Sequence, residues 1–184
     1  MKFKTHDTIK KIFSETEIRP ADLITAHLFV QTWVGDVIVR CMKNPHFAYT
    51  IFPWDRIIRA SFIVGATHTC FAAYTDTRLD GLLSLTKSQT IRIDFIATAP
   101  WNYYVGGKMR GIGAGLVFYT IHVSRHSGFE GEFFLYAVPD AERYYSGIGM
   151  VPTGKANQAD LKEFRMPKAQ ASAFASSFGR NLLI

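Results

Sequence analysis

Polar and apolar residues alternate along this chain with two different periods. Between Lys11 and Arg19, Ile12, Ser14, Thr16 and Ile18 fall on one side of a period-two pattern that ends at Pro20, which predicts a short strand. From Asp22 to about Met42 the spacing lengthens. Leu23, Val30, Trp33, Val34, Val37, Ile38 and Cys41 recur at helical intervals, although Gly35 weakens the middle. Pro53 opens a second helix with Ile57, Ile58 and Phe62 on one face. The period then shortens over Thr69–Thr75, Leu79–Thr86 and Thr90–Thr98. These strand-like runs, joined by Asp76-Thr77 and Lys87-Ser88-Gln89, predict an antiparallel meander closed by Pro100. A helix follows from Gly111 to about Arg125, with Ile112, Leu116, Tyr119 and Val123 as its buried stripe and Gly128 just past its end. The apolar run Glu132–Val138 has the length of a strand covered on both faces. Pro139 and Asp140 start a short helix that Gly147 or Gly149 stops, and two more strands fall at Val151–Thr153 and Leu161–Met166.

This succession predicts an α/β (α+β) fold: a mixed, mostly antiparallel sheet of six to seven strands with helices on both faces. It occupies residues 1–166 as a single domain, and residues 167–184 form a tail or terminal helix. At 184 residues and 48% hydrophobic composition, the chain is long enough to bury a core and short enough for one domain. Cys41 and Cys70 lack CxxC spacing and are too few for a disulfide scaffold; they read as small buried apolar groups in a reduced, cytoplasmic setting. The opening "MKFKTHDTIKKIF" lacks the apolar segment and cleavage site of a secretory signal, and no window has the roughly 18 apolar residues of a membrane span. A net charge of +6 favours a polyanionic ligand.

The segment "GGKMRGIGAG", Gly106 to Gly115, puts five glycines directly before the central helix. The first amides of a helix have no partner within it and carry partial positive charge, so an anion is their natural ligand. Glycines let the backbone approach that anion closely. A Rossmann turn is excluded because Leu116 stands where the third glycine belongs, and a P-loop because Gly107-Lys108 is followed by Met109.

"KMRGIG", Lys108 to Gly113, after a strand ending "IATAP", resembles the pyrophosphate-binding motif R/Q-x-x-G-x-G/A of the GCN5-related N-acetyltransferases (GNAT). "AERYYSGIGM", Ala141 to Met150, is similar to the family's second signature with Tyr145 at the tyrosine position, and "TEIRPAD" to its first strand. The resemblance spans Glu17 to Met166 and implies the acyl-CoA N-acyltransferase fold. It also implies acetyl-CoA as cofactor and transfer of an acetyl group to a primary amine by direct attack in a ternary complex. The backbone from Met109 through Arg110, Gly111, Ile112 and Gly113 to Ala114 would hold the pyrophosphate, with Lys108 and Arg110 beside it. Ile96, Ala97 and Thr98 would line a split in the sheet that admits the pantetheine arm, where a backbone amide can bind the developing oxyanion. Tyr145 would protonate the departing thiolate and contact the cofactor. Asp94 and Glu132 are the carboxylates available as base.

Two departures bear on cofactor grip: Lys108 keeps charge but lacks the planar fork of arginine, and Val138 stands where many members have an asparagine that contacts CoA. A non-catalytic acyl-CoA-sensing module therefore stands as the alternative. The acceptor is a small amine, a peptide amine or, as the one route to nucleic acid, an aminoacyl-tRNA; a homodimer is also admitted. Trp54, Trp101, Tyr103 and Tyr104 are candidates for the acceptor side, with Trp54 equally a core residue. His122 and His126 have metal-binding spacing without an HExxH arrangement and read as a solvated helix face, so no metal is expected.

Overall fold

The computed structural model describes residues 1–7, 12–43, 52–102 and 109–182, with the side chains of Asp7, Ile12, Phe13, Cys41, Met109, Arg110, Asn181 and Leu182 outside that description. In chain order the elements are β1 (Lys2–Asp7), β2 (Ile12–Pro20), α1 (Leu23–Leu28), a π-helical stretch (Phe29–Val34), α2 (Gly35–Lys43), α3 (Trp54–Ala60), β3 (His68–Thr75), β4 (Arg78–Lys87) and β5 (Ile91–Thr98). A 3-10 turn (Pro100–Asn102), β6 (Met109–Arg110), α4 (Ile112–His126), β7 (Phe133–Ala137), α5 (Pro139–Gly147), β8 (Val151–Ala156), β9 (Lys162–Met166) and α6 (Lys168–Leu182) complete it. The tail is thus a helix. The described strands number nine, two more than expected: β1 and the two-residue β6 were not foreseen. β1 mixes lysines with alternating Phe3 and Thr5, and only its pairing with β2 reveals it as a strand.

The chain forms two compact units, and β4, β5 and α4 each run from one into the other. The first comprises Met1–Ser84 and Phe95–Leu116, with strand order β6-β1-β2-β3-β4-β5. β1, β2 and β3 pair antiparallel, and Thr5, Thr16 and Thr75 form a row across them joined by hydroxyl hydrogen bonds of 2.8 Å each. Asp22 caps α1 by accepting from the Thr25 amide at 2.7 Å, while the Thr25 side chain accepts from the Asp22 amide. One face of the sheet carries a core of Phe29, Trp33, Trp54, Ile58, Tyr74 and Leu82. Trp54 is fully buried against Phe52 and Phe95, so it belongs to that core.

The helical stripe read from sequence holds at Trp33 and Val37 and fails around them. Leu23, Val30 and Ile38 are exposed, whereas Thr25, Phe29, Trp33 and Val37 are buried. These four positions lie four apart. An α-helix would rotate them progressively off one face; the wider π turns in the middle rotate them back, which period analysis assuming 3.6 residues per turn cannot see.

On the other face of β4, Gly81 admits α4. A Cβ there would lie 2.8 Å from Ile112 Cγ2 and 3.1 Å from Leu116 Cδ1. One turn on, a Cβ at Gly115 would lie 2.2 Å from Phe3 Cζ.

The second unit comprises Leu85–Asp94 and the chain from Val117 on, with order β4-β5-β7-β9-β8. Phe118 stacks on Phe178 at 4.8 Å, joining α4 to α6. β7 departs from the expectation of burial on both faces: Phe133, Leu135 and Ala137 are buried, but Phe134 and Tyr136 are only half-buried. An apolar run reports composition rather than coverage, and one face of this strand remains partly open.

Replacing a helical glycine by alanine ordinarily stabilises. Gly115→Ala is expected instead to lower unfolding free energy by about 1–3 kcal/mol, because the methyl displaces the Phe3 ring. Urea denaturation checks it, and Phe3→Leu in the same chain should recover part of the loss.

Candidate active site

The connection from β5 to α4 is anchored by a buried carboxylate. The Asp80 side chain is fully buried and receives Arg78 Nε and Nη2 at 2.8 and 2.9 Å, Trp101 Nε1 at 2.7 Å and Asn102 Nδ2 at 3.2 Å. Its own carbonyl accepts the Ala99 amide at 2.9 Å. A bidentate guanidinium and two further donors satisfy an otherwise costly buried charge and fix the chain direction where β5 ends. Tyr103, Tyr104 and Lys108 lie outside the described residues.

Met109 and Arg110 form β6, paired with Asp7 and His6 of β1. Gly111 then turns the chain at φ 97°, a conformation that favours glycine. The first backbone bond of α4 runs from the Gly115 amide to the Gly111 carbonyl at 2.8 Å. The amides of Ile112, Gly113 and Ala114 precede it and lack intrahelical acceptors. Ile112 directs its side chain to Gly81, while Gly113 and Ala114 are half-buried. The first unit therefore holds both this helix start and the β5 residues Ile96, Ala97 and Thr98, all half-buried.

In the second unit, β5 and β7 run parallel over three pairs: Ile91↔Phe133, Arg92↔Phe134 and Ile93↔Leu135. β5 goes on as strand to Thr98, and β7 continues with Tyr136 and Ala137 paired to Glu163 and Lys162 of β9. Asp94, the first β5 residue past the ladder, is already engaged: Arg92 Nε donates to Oδ1 at 2.5 Å and Thr86 Oγ1 to Oδ2 at 2.6 Å. Glu132 precedes Phe133 at the opposite end of the ladder, with its carbonyl accepting from Ser124 Oγ at 2.6 Å. Tyr145, on α5, is 6% exposed, its ring 6.3 Å from Phe164 and 5.4 Å from Tyr144. Val138 is the N-cap of α5 and supplies no side-chain hydrogen bond there.

The fold recurs in known structures. PaiA N-acetyltransferase from Thermoplasma acidophilum, solved in complex with coenzyme A, superposes with a TM-score of 0.55 at 14% identity over 82% of this chain and 97% of that one. An acetyltransferase of the GNAT family from Staphylococcus aureus gives 0.56 at 10% identity over 82% and 97%. The ribosomal-protein-S18-alanine N-acetyltransferase from Escherichia coli gives 0.52 at 10% identity over 82% and 90%. The chain has the GCN5-related N-acetyltransferase fold. No family model matches the chain, and no curated protein does.

Within this GNAT fold three polar residues escaped the motif reading. Asp80 is signalled only by Arg78 two positions earlier on the same strand face. Tyr136 and Glu163 lie opposite each other on β7 and β9, and nothing in their spacing along the chain announces the pair. The His122 and His126 rings lie 4.1 Å apart and tilted by 49°, both exposed, and among the described residues no three His, Cys, Asp or Glu side chains group as metal ligands. No described helix is long and apolar enough to cross a membrane.

Burial, and secondarily Tyr144, pushes the Tyr145 hydroxyl above the ordinary phenol value. In the unfolded chain it ionises near pH 10. The folded protein therefore keeps a proton there that the unfolded chain has lost. This contribution to stability is complete below about pH 10 and is lost as pH rises toward the folded value. The fall in melting temperature between pH 9 and 11 is expected to be smaller in Tyr145→Phe than in the parent; equal falls would assign the alkaline loss to other groups.

Proposed function

We propose that the chain is an acyl-CoA-dependent N-acyltransferase that moves an acetyl group from acetyl-CoA to a primary amine by direct attack in a ternary complex. The observation that carries this reading is the short β5–β7 ladder. A parallel pairing that stops after three residues while β5 extends five further is the arrangement a pantetheine arm needs, because its amides can pair with Ile96 and Ala97 as a strand would. The helix start fits the other end of the cofactor. Gly111 at positive φ and the small Gly113 and Ala114 leave amide hydrogens open to a diphosphate, which the helix dipole favours. Met109 and Arg110 are strand residues, so the cradle is assigned to residues 111–114, with Lys108 and Arg110 as adjoining cations. The coenzyme A complex of the PaiA fold neighbour supports the same ligand.

Acetyl-CoA supplies an activated thioester. Tyr145 then has one task, to hand its proton to the thiolate that leaves. Burial keeps the phenol protonated but also makes it a weaker acid, so the transfer relies on the thiolate being held against the hydroxyl. Asp94, bound by Arg92 and Thr86, holds the β5 strand at the point where it leaves β7. Glu132, at the closed end of the ladder, is given no step. The alternative of a sensor that binds acyl-CoA without turnover draws on Val138, which offers α5 no polar side chain at the position of the family's asparagine.

Titration calorimetry should show saturable binding of acetyl-CoA; none at millimolar ligand removes both readings. Thiol release with an amine panel separates enzyme from sensor. Tyr145→Phe is expected to lower kcat by about a hundredfold while leaving the Kd for acetyl-CoA nearly unchanged.

A further inference from the structure

The segment that leaves α3 presents apolar side chains to solvent on a backbone that is held in place. The sequence pattern puts Phe62 on the face of Ile57 and Ile58, but α3 stops at Ala60, and Phe62, Ile63 and Val64 are 57%, 67% and 100% exposed. The turn itself is ordered. Ser61 Oγ donates to the Ile58 carbonyl at 2.6 Å, the Phe62 and Ile63 amides to the Arg59 and Ala60 carbonyls at 3.2 Å each, and the Ala66 amide to the Ile63 carbonyl at 2.9 Å. His68 Nε2 donates to the Ile57 carbonyl at 3.0 Å and ties the end of α3 to the start of β3. One exposed apolar residue is ordinary, whereas three in succession on a fixed turn mark a surface that meets something apolar.

The surroundings say what that is. Val64 is fully exposed and a Cβ at Gly65 would meet nothing within 4 Å, so the tip is a projection and not a groove. Arg56 and Arg59, on α3 just before it, are exposed and make no ion pair among the described residues. The carboxylates of the two helices are occupied or distant: Asp22 caps α1 and lies near Arg19, and Asp55 belongs to the first turn of α3, away from the tip. The Ala21 amide bonds the Cys70 carbonyl at 2.9 Å, so α1 starts beside the strand where α3 ends, and its exposed Leu23 and Ile24 add apolar surface at that end. A second copy of the chain would set these arginines against themselves in an isologous contact. A bilayer with anionic headgroups meets both demands, since phosphate oxygens take the guanidiniums and the acyl boundary takes the tip.

We propose that Phe62, Ile63 and Val64, with Arg56 and Arg59, dock this chain on the surface of an anionic lipid bilayer. The inference stands apart from the acyltransferase reading. Docking leaves the candidate site clear. The β3–β4 turn puts the start of β4 at the far end of β3 from His68, and Asp80 there accepts the Ala99 amide at 2.9 Å. Ile96 and Ala97 therefore lie toward the end of the first unit opposite the tip, where a water-soluble cofactor can reach them.

Co-sedimentation of the full chain with large unilamellar vesicles tests this, using phosphatidylcholine alone and an equal mixture of phosphatidylcholine and phosphatidylglycerol. The expected result is pelleting with the mixed vesicles, weaker by about tenfold with phosphatidylcholine alone and in about 0.5 M sodium chloride. Phe62→Ser combined with Val64→Ser should lower the partition onto mixed vesicles by about tenfold at an unchanged melting temperature. Arg56→Gln combined with Arg59→Gln should do the same, and Lys155→Gln combined with Arg180→Gln, which removes equal charge elsewhere, should lower it far less. No pelleting with mixed vesicles overturns the proposal. So does equal pelleting of the parent and the serine variant, which is adsorption by the net charge of +6 alone. An equal loss from the two charge-removing variants also overturns it, as does a dimer in sedimentation velocity that the serine variant dissociates, which assigns the tip to a second copy.

Discussion

A parallel ladder of three residue pairs is the constraint on which the rest of this molecule depends. Strands inside a sheet ordinarily keep a partner along both edges, because main-chain donors and acceptors left without partners are costly. Among the described residues β5 pairs with β7 from Ile91 to Ile93 and then runs on as strand to Thr98. The sheet tolerates this because each departing segment is held from another side. Asp80 binds Trp101 and Asn102 just past β5 and ties that exit to β4, while β9 pairs with all five residues of β7.

The glycines serve the same end by a different route. Gly81 and Gly115 do not face a ligand. They remove the side chains that would hold α4 away from the sheet and from Phe3. Gly111 alone uses its conformational freedom, turning the chain from β6 into the helix at φ 97°. One glycine-rich segment thus combines two physical functions, close packing and an abrupt change of direction, and motif matching does not separate them.

Much of the architecture was legible in the sequence, and the failures have specific causes. Period-two runs located β2 to β5, and the proline and glycine punctuation located α5, because these signals are local. The stripe over residues 22–42 was right at Trp33 and Val37 and wrong at Leu23, Val30 and Ile38, because π turns change the period that the reading assumed. β1 was missed because its strand character comes from β2 and β6, not from its own composition. Within the candidate site, the resemblance specifies Gly111 and Tyr145 by spacing; the structure gives Gly111 its turn and buries Tyr145. Asp80 and the Tyr136–Glu163 pair were not legible, since residues brought together by sheet register, or by a turn that folds back, leave no fixed interval along the chain.

The helix start described above is built from main-chain hydrogens, and that has a bearing on inheritance. Such a surface asks of the code only smallness at a few sites, so nearly every other letter is free to drift while the shape persists. The fold is held in common with solved acetyltransferases at 10–14% identity, where no family model matches the chain.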